Sequence, residues 1–294
     1  MPGKLVVCGV GLIGGSFALA LKAALGSRCP RIVGMGRTRA PLEQALKLGV
    51  IDQIGKDWAS ALEGADLVLL GMPVGQMLPV MQAIAPHLGA RTLVTDGGST
   101  KADVVGAARA AFGGRVGQFV PGHPIAGAEK SGVDAATAEL YRDRRVVLTP
   151  IDENAEADVA AVRRVWEICG ARVSQLGPEE HDRVFAAVSH LPHLLAFALV
   201  HDLAGRKNSD QLFGFAAGGF RDFTRIASSH PEMWRDICVA NRRALLPELD
   251  AYLAELMRAR VLLASGDAAG LEQLFSTARA RRDAWLETFQ PVGE

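Results

Sequence analysis

The sequence predicts two domains: an α/β domain with a doubly wound parallel sheet over residues 1–177, and an all-α domain over residues 178–294. Short apolar runs that suit buried parallel strands alternate with amphipathic, helix-prone segments as far as Gly177. Beyond Pro178 the strand-like runs vanish, and the apolar residues follow a helical period. A chain of 294 residues is long enough to bury two full-sized cores.

The charge composition limits the classes of partner. Lys plus Arg and Asp plus Glu are equal at 32 each, so we expect no nucleic-acid partner and no membrane-surface partner. No uninterrupted apolar stretch is long enough to predict a membrane span. The four cysteines are far apart and form no Cys-x-x-Cys pair, which favours reduced thiols in a cytoplasmic protein.

A glycine-rich loop follows the first predicted strand, Leu5–Val7. Gly9 allows a tight turn, Gly11 lets a diphosphate approach the backbone, and Gly14 lets the next helix pack closely on the sheet. This order is typical of a Rossmann-type dinucleotide site, where free N–H groups and the helix dipole attract the diphosphate. We expect cofactor contacts from Gly9, Gly11, Leu12, Ile13 and Gly14.

The end of the second predicted strand, Arg31–Met35, indicates the type of dinucleotide. NAD sites usually place Asp or Glu here to bind the ribose 2′-hydroxyl. This chain has Arg37, Thr38 and Arg39 instead. Two guanidiniums and a hydroxyl can bind a 2′-phosphate that a carboxylate would repel, so we expect NADP rather than NAD. Alternatively, the two arginines are the solvated start of a helix.

Two further apolar runs, Ala65–Met72 and Arg91–Thr95, are typical of parallel strands buried on both faces. Because strand ends on one edge of such a sheet line the ligand crevice, Ser99 and Lys101 are expected beside the cofactor. Alternatively, Ser99 or Thr100 is only the N-cap of the following helix. We expect cofactor contacts here from Met72, Pro73 and Ser99.

A histidine stands at another predicted strand end. His123 follows Phe119–Val120 and lies between a glycine and a proline, in a loop over the expected crevice. Isolated histidines are more often structural or exposed than catalytic, but functional residues concentrate on loops of this kind. The runs Arg145–Thr149 and Arg172–Leu176 are further strands that continue the strand–helix alternation.

The helical half contains a polar cluster on a long apolar helix, Glu179–Leu203, which Pro192 is expected to kink. His190 and His193 are three residues apart and share a helix face. A metal pair is one interpretation, but no carboxylate stands at ligand spacing, so polar recognition or a buried structural role is favoured and no metal is expected. The long Leu- and Ala-rich helices that follow favour a homodimer, although an intrachain bundle would bury the same stripes.

Five motifs together resemble the prephenate/arogenate dehydrogenase (cyclohexadienyl dehydrogenase) family of tyrosine biosynthesis over nearly the whole chain. They are Gly9–Ser16, Asp96–Lys101, Gly122–Gly132, Ser189–His193 and Gly219–Ala227, the last followed by Met233-Trp234. The first motif is shared by many dehydrogenases, whereas the other four in this order are far more specific. The resemblance implies oxidative decarboxylation of prephenate, arogenate or both, with hydride transfer to NAD(P)+.

The resemblance also implies roles for individual residues. His123 corresponds to the histidine that accepts the proton of the ring hydroxyl, and Ser99 to the serine that orients the nicotinamide and assists at that hydroxyl. Arg225 matches the arginine that binds a substrate carboxylate. The other implied substrate-binding residues are His181, Ser189, His190, His193, Glu129 and Trp234. The stretch Arg37–Arg39 departs from members that carry an acidic residue there, which puts NAD in doubt but not the reaction.

Two other functions fit part of the sequence. An NADP-linked 3-hydroxyacid or imine reductase also pairs this sheet with a helical domain, but many of these hydroxyacid enzymes use a lysine of the helical half, where this chain has only Lys207, in a predicted turn. A non-catalytic NADPH sensor would leave Ser99, His123 and Arg225 unexplained. Both functions are therefore disfavoured.

Overall fold

The computed structural model describes residues 3–128 and 130–288. The chain forms two compact units, which divide between Arg242 and Arg243. The last described strand ends at Gln175, and the described chain beyond it consists of helices and short connections. The predicted domain boundary near Gly177 remains a prediction.

The predicted parallel sheet is confirmed. Its strands are β1 (Lys4–Cys8), β2 (Arg31–Met35), β3 (Gln53–Ile54), β4 (Leu67–Leu70), β5 (Leu93–Asp96) and β6 (Phe119–Val120). All are parallel, in the order β3-β2-β1-β4-β5-β6. The chain reverses its direction of travel across the sheet between β1 and β4, and ligands of open α/β sheets bind outside the carboxyl ends of strands at such a point.

Helices cover both faces of this sheet. They are α1 (Leu12–Leu25), α2 (Arg39–Lys47), α3 (Trp58–Leu62), α4 (Met77–Ile84), α5 (Ala102–Phe112) and α6 (Glu156–Ile168). Along β1 the side chains alternate between two buried clusters, with Val6 and Cys8 in one and Leu5 and Val7 in the other. This period of two is what a strand buried on both faces requires.

A second, three-stranded sheet departs from the prediction. In it, β7 (Gly122–Pro124) pairs antiparallel with β8 (Arg145–Leu148), which pairs parallel with β9 (Arg172–Gln175). The two predicted strands that became β8 and β9 therefore do not extend the six-stranded sheet. The chain leaves β6 at Pro121, which has no N–H to donate to a ladder. His123 consequently lies on a strand of the small sheet.

The first long helical run is interrupted at its middle. It consists of α7 (Pro178–Phe185), a π-turn over Ala186–His190 and α8 (Leu191–Ala204). The π-turn lies just before Pro192, which has no backbone N–H, at the position where the sequence predicts a kink. By length and composition alone this run could also cross a membrane, a test that apolar core helices pass as well.

The remaining helices are α9 (Ser209–Gly214), α10 (Gly218–Thr224), a 3₁₀ turn over Arg225–Ser228, α11 (Pro231–Ala240), α12 (Arg242–Ser265) and α13 (Ala268–Thr288). The sequence predicts one helix from Pro231 to about Ala264 with a kink near Pro247. The structure instead ends α11 before Asn241, and Pro247 lies inside α12. The break falls at Asn241, whose side chain takes part in the candidate active site.

Candidate active site

The glycine-rich loop connects β1 to α1 at the carboxyl edge of the large sheet. Gly9 has a φ of +87°, and a Cβ there would lie 2.9 Å from backbone atoms of both Gly71 and Met72. A Cβ on Gly14 would overlap the carbonyl oxygen of Gly9, whereas the Cβ position of Gly11 has no described atom within 4 Å. Close packing therefore requires Gly9 and Gly14, while Gly11 leaves the open backbone that a diphosphate needs.

The first turn of α1 is free to bind an anion. It contains no acidic residue, and its N-cap, Gly11, provides no side-chain hydrogen bond. The N–H groups of this turn therefore remain available, at the positive end of the helix dipole. The hydroxyl of the buried Tyr141 donates to the carbonyl of Ile13 at 2.6 Å and holds the turn from outside. These features fit a bound dinucleotide.

The three residues expected to select the cofactor are exposed just beyond β2. The N–H of Gly9 donates to the carbonyl of Met35 at 2.8 Å, so the end of β2 lies beside the glycine loop. Arg39 donates to Glu43 at 2.7 Å along α2, as an ordinary surface arginine does. Thr38 is the N-cap residue of α2, but its side chain makes no capping hydrogen bond. Both sequence interpretations of this stretch thus retain some support.

His123 is buried, with 9 % of its surface exposed. Its Nδ1 lies 2.8 Å from Nε2 of His181 on α7. The ring of Phe185 packs against both imidazoles, with its centroid 5.0 Å from that of His123 and 4.5 Å from that of His181. Strand β7 and helix α7 therefore present the two histidines to one another inside the protein.

Asp182 is a site residue that the sequence analysis missed. Its Oδ1 accepts hydrogen bonds from Nδ1 of His181 at 2.9 Å and from the backbone N–H of Lys101 at 2.8 Å. Its Oδ2 accepts from the N–H of Ala102 at 2.9 Å. One carboxylate thus binds a histidine of its own helix and the start of α5. Its place next to His181 in the sequence was the one available signal.

A buried ion pair holds the loop that carries Ser99. Lys101 Nζ contacts Oδ2 of Asp96, both side chains are completely buried, and Nζ also donates to the carbonyl of Gly122 at 2.8 Å. Asp96 Oδ1 accepts from the N–H of Gly122 at 2.9 Å. The pair ties the end of β5 to the residue before His123. The Lys101 side chain, expected beside the cofactor, is therefore buried because Asp96 binds it.

Ser99 is half-buried and lies between Asp96 and Lys101 in the sequence. It is not the N-cap of α5, and neither is Thr100, because the N-cap position is Lys101 and provides no side-chain cap. The carboxylate of Asp182 takes that role from another helix. The N-cap alternative for Ser99 and Thr100 is therefore wrong.

The buried histidines are held in their neutral forms. Burial lowers the pKa of His123 well below its ordinary value, and a positive charge on His181, Lys101 or His190 lowers it further. Burial also lowers the pKa of His181, against the opposing hydrogen bond to Asp182. Burial lowers the pKa of His190 to about 4. At neutral pH these imidazoles are unprotonated, so His123 can accept a proton.

His190 is held by Asn241, a second residue that the sequence analysis missed. The Nδ2 group of Asn241 lies 2.9 Å from Nδ1 of His190 and also donates to the carbonyl of Asp182 at 2.8 Å. Because the amide donates, Nδ1 of neutral His190 accepts and Nε2 carries the hydrogen. That Nε2 is buried, and a hydrogen bond with the backbone of Ser99 acts on the same imidazole.

His193 belongs to a second group of predicted residues. Its Nδ1 donates to the carbonyl of Ser189 at 2.8 Å, and its ring stacks on Trp234 with 3.5 Å between centroids. Burial lowers the pKa of His193, the hydrogen bond to Ser189 opposes this, and the charge of Arg225 lowers it further. The guanidinium of Arg225 therefore acts on the same imidazole that Trp234 covers.

The predicted residues consequently form three sets. The first set lies at the sheet edge and consists of the glycine loop with Met72 and Pro73 after β4. The second set is the buried centre, formed by His123, His181 and the Ser99 loop, to which His190 is joined through Asn241 and Asp182. The third set consists of His193, Trp234 and Arg225. Glu129, also predicted in the substrate pocket, lies outside the described residues.

Two family models match the chain. The model described as "Prephenate dehydrogenase, nucleotide-binding domain" matches residues 17–175. The model described as "Prephenate dehydrogenase, dimerization domain" matches residues 177–277.

Individual proteins are similar over almost the whole chain. A prephenate dehydrogenase of Bacillus subtilis is 40 % identical over 96 % of this chain and 76 % of its own length. The crystal structure of prephenate dehydrogenase from A. aeolicus, in complex with hydroxyphenyl propionate and NAD+, matches with a TM-score of 0.89 and 35 % identity, over 96 % of this chain and 97 % of that one. The crystal structure of Synechocystis arogenate dehydrogenase matches with a TM-score of 0.80 and 31 % identity, over 96 % and 99 %.

Proposed function

We propose how this chain, which belongs to the prephenate dehydrogenase family, carries out its oxidative decarboxylation in tyrosine biosynthesis, with prephenate, arogenate or both as substrate. Membership confirms the family resemblance of the sequence motifs. The observation that carries the mechanism is the buried His123, which is neutral and lies in the middle of β7 beside the Ser99 loop.

His123 is the general base. Its Nε2 accepts the proton of the hydroxyl on ring carbon 4 while the hydride leaves that carbon, so that a C=O bond forms there. The carbon–carbon bond to the ring carboxylate then breaks and carbon dioxide leaves. The electron pair of that bond stays with the ring and makes it aromatic. Ser99 assists at the same hydroxyl and orients the nicotinamide. The dinucleotide, when bound, supplies the hydride acceptor.

The set formed by Arg225, His193 and Trp234 binds the substrate. Arg225 holds a carboxylate in a bidentate fork, which fixes orientation as well as charge. The imidazole of His193 is fixed by its stack on Trp234, and we place His190 beside it as a further pocket residue. Ser189 and Glu129 remain proposed pocket residues. We propose that Glu129 and the His190–His193 face determine whether the enzyme prefers the keto side chain of prephenate or the amino side chain of arogenate.

Substrate preference is tested at Glu129. We expect Glu129→Gln to change the ratio of kcat/KM for prephenate to that for arogenate, because the substitution removes a charge that distinguishes an ammonium group from a ketone. Glu139→Gln, at an exposed glutamate nearby in the chain, is the control. An unchanged ratio in the Glu129 variant would reject this role.

The glycine loop, Met72 and Pro73 hold the dinucleotide, and we propose NADP in preference to NAD. The support is the absence of an acidic residue after β2 and the exposed Arg37 and Thr38 beside the loop, since Arg39 is paired with Glu43. A hydrogen bond to a charged group contributes about 1.5–3 kcal/mol. Arg37→Ser should therefore weaken NADP roughly 10- to 100-fold relative to NAD, measured as a ratio of KM values.

The control for this cofactor assignment is Arg28→Ser, at an exposed arginine in the turn before β2. It should leave the ratio of KM values as it is in the wild type. A wild-type enzyme that prefers NAD, or an Arg37 variant with an unchanged ratio, would contradict the assignment.

We further propose a cytoplasmic homodimer that associates through its C-terminal helices. The matching model over residues 177–277 bears the description "dimerization domain", and α12 and α13 expose large apolar side chains. Examples are Leu256, Val261 and Phe275. All four cysteines are free thiols, and burial raises the pKa of Cys8 to about 12, which suits a reducing compartment. Light scattering during size exclusion tests the dimer, and a monomer at micromolar concentration would contradict it.

The reaction is tested by the absorbance of reduced nicotinamide in four mixtures, prephenate or arogenate, each with NAD or NADP. We expect turnover in at least one, with loss of carbon dioxide in equal amount. No turnover in any mixture would overturn the proposed function.

A further inference from the structure

We propose that Asp182 is a positioning residue for this reaction: through His181 it fixes the tautomer of His123 that leaves Nε2 open to the substrate proton. The inference rests on the proposed role of His123 as the base. The three side chains form one buried line, with 2.9 Å from Asp182 Oδ1 to His181 Nδ1 and 2.8 Å from His181 Nε2 to His123 Nδ1.

The direction of the hydrogen bonds along this line is set by Asp182. Burial raises the pKa of this carboxyl, but the hydrogen bonds from His181 and from the two backbone N–H groups outweigh it and bring the pKa below its ordinary value. An ionised carboxylate can only accept, so His181 must carry its hydrogen on Nδ1. Its Nε2 then accepts from Nδ1–H of His123, and Nε2 of His123 is left without a hydrogen. The opposite order would set a lone pair of His181 against the carboxylate.

The charges around the two imidazoles also differ. Lys101 faces His123, as do the imidazoles of His181 and His190, and a positive charge on any of the three disfavours a cation there. Burial also lowers the pKa of His181, but His181 faces Asp182 and Asp96 as well as Lys101, and the two carboxylates oppose that effect. When Nε2 of His123 takes the substrate proton, its Nδ1 proton can pass to Nε2 of His181. The positive charge then lies beside Asp182, and His123 is neutral again.

The same carboxylate also supports the other catalytic loop. Its bonds to the N–H groups of Lys101 and Ala102 hold the start of α5, two residues beyond Ser99. Asp182 therefore positions the proposed base and the loop that carries the proposed serine from a single point on α7.

The test is Asp182→Asn in the full-length enzyme. An amide cannot accept at both positions, so it places a donor toward His181 or toward the start of α5. We expect the hydrogen of His123 to move to Nε2 in a substantial fraction of molecules and kcat to fall about 100-fold or more, with KM for the substrate unchanged. Nitrogen-15 NMR of histidine-labelled protein, assigned with His123→Asn, measures the tautomer directly.

Two controls separate positioning from folding. Asp57→Asn makes the same chemical change at the cap of α3, where Asp57 accepts from the N–H of Ser60 at 2.8 Å, and it should leave tautomer and kcat as in the wild type. His181→Gln keeps an acceptor for Nδ1–H of His123, whereas His181→Phe removes it, so the Gln variant should retain the higher kcat. This second pair carries the test if Asp182→Asn fails to fold.

The outcomes are distinct. A His123 that carries its hydrogen on Nε2 in the wild type, or an Asp182→Asn enzyme with the wild-type tautomer and kcat, would overturn the positioning role. Equal kcat in His181→Gln and His181→Phe would do the same. Full activity in His123→Asn would instead overturn the proposed base, and with it the function from which this inference starts.

Discussion

Replacing Lys101 by Met isolates the cost of breaking the ion pair that holds the Ser99 loop to β7. Both side chains are 0 % exposed, so the variant leaves the Asp96 carboxylate buried. Its remaining hydrogen bonds come from the N–H groups of Gly98 at 2.8 Å and Gly122 at 2.9 Å. Removing one partner of a buried pair costs about 3–5 kcal/mol. At about 2–4 °C for each kcal/mol, the melting temperature should fall by roughly 6–20 °C.

The assay is thermal unfolding followed by intrinsic fluorescence, with urea unfolding as a second measure. Lys47→Met, at the exposed end of α2, is the matched control and should change stability by about 0.5 kcal/mol at most. The double variant Lys101→Met with Asp96→Asn should be more stable than Lys101→Met alone, because it buries no unpaired charge. A single variant that loses less than about 1 kcal/mol, or a double variant no better than the single, would refute this reasoning.

Three other perturbations have defined outcomes. Burial lowers the pKa of His190 from its ordinary value of 6.5 to about 4. Its contribution to the free energy of unfolding is therefore complete above pH 6.5, and about 3 kcal/mol is lost as the pH falls to 4. His190→Gln should remove this dependence, so that the free energy of unfolding falls less steeply on the acid side. Gly14→Ala should abolish tight dinucleotide binding, because the new Cβ overlaps the carbonyl of Gly9; unchanged affinity in a fluorescence titration would contradict the loop geometry. Tyr141→Phe removes the buried donor to Ile13 and should cost about 1–3 kcal/mol in urea unfolding, whereas a neutral effect would mean that this hydrogen bond is not formed.

The features that could be predicted from the sequence are those with a local cause. The bounds of β2, Arg31–Met35, agree with the prediction because a short apolar run between turn residues determines a buried strand by itself. The turn at Gly9 follows from glycine spacing within a few residues. The change to helices after Pro178 is likewise visible in the period of the apolar residues.

The features that escaped prediction depend on contacts between distant parts of the chain. Asp182 caps α5 across 81 residues, and Asn241 reaches His190 across 51. A sequence pattern within one helix contains no sign of either contact. The burial of Lys101 could not be predicted either, because it depends on Asp96 and the carbonyl of Gly122 both binding the Lys101 ammonium group.

The structure gives His181 a different role from the one that the family resemblance implies. The resemblance places it among substrate-binding residues, whereas the structure buries it completely and occupies both ring nitrogens, with His123 on one side and Asp182 on the other. We therefore assign His181 to the support of the base.

The central claim is that a buried, neutral His123 takes the proton that accompanies hydride transfer. The most direct measurement is the pH dependence of kcat/KM for wild type and His123→Asn with the preferred substrate and cofactor. Because burial holds the pKa of His123 well below its ordinary value, wild-type kcat/KM should stay level through neutral pH and fall only at more acidic pH. The variant should be slower by about 10²–10⁴-fold and lack that acid limb. A variant with the wild-type rate and the wild-type pH profile would contradict the account.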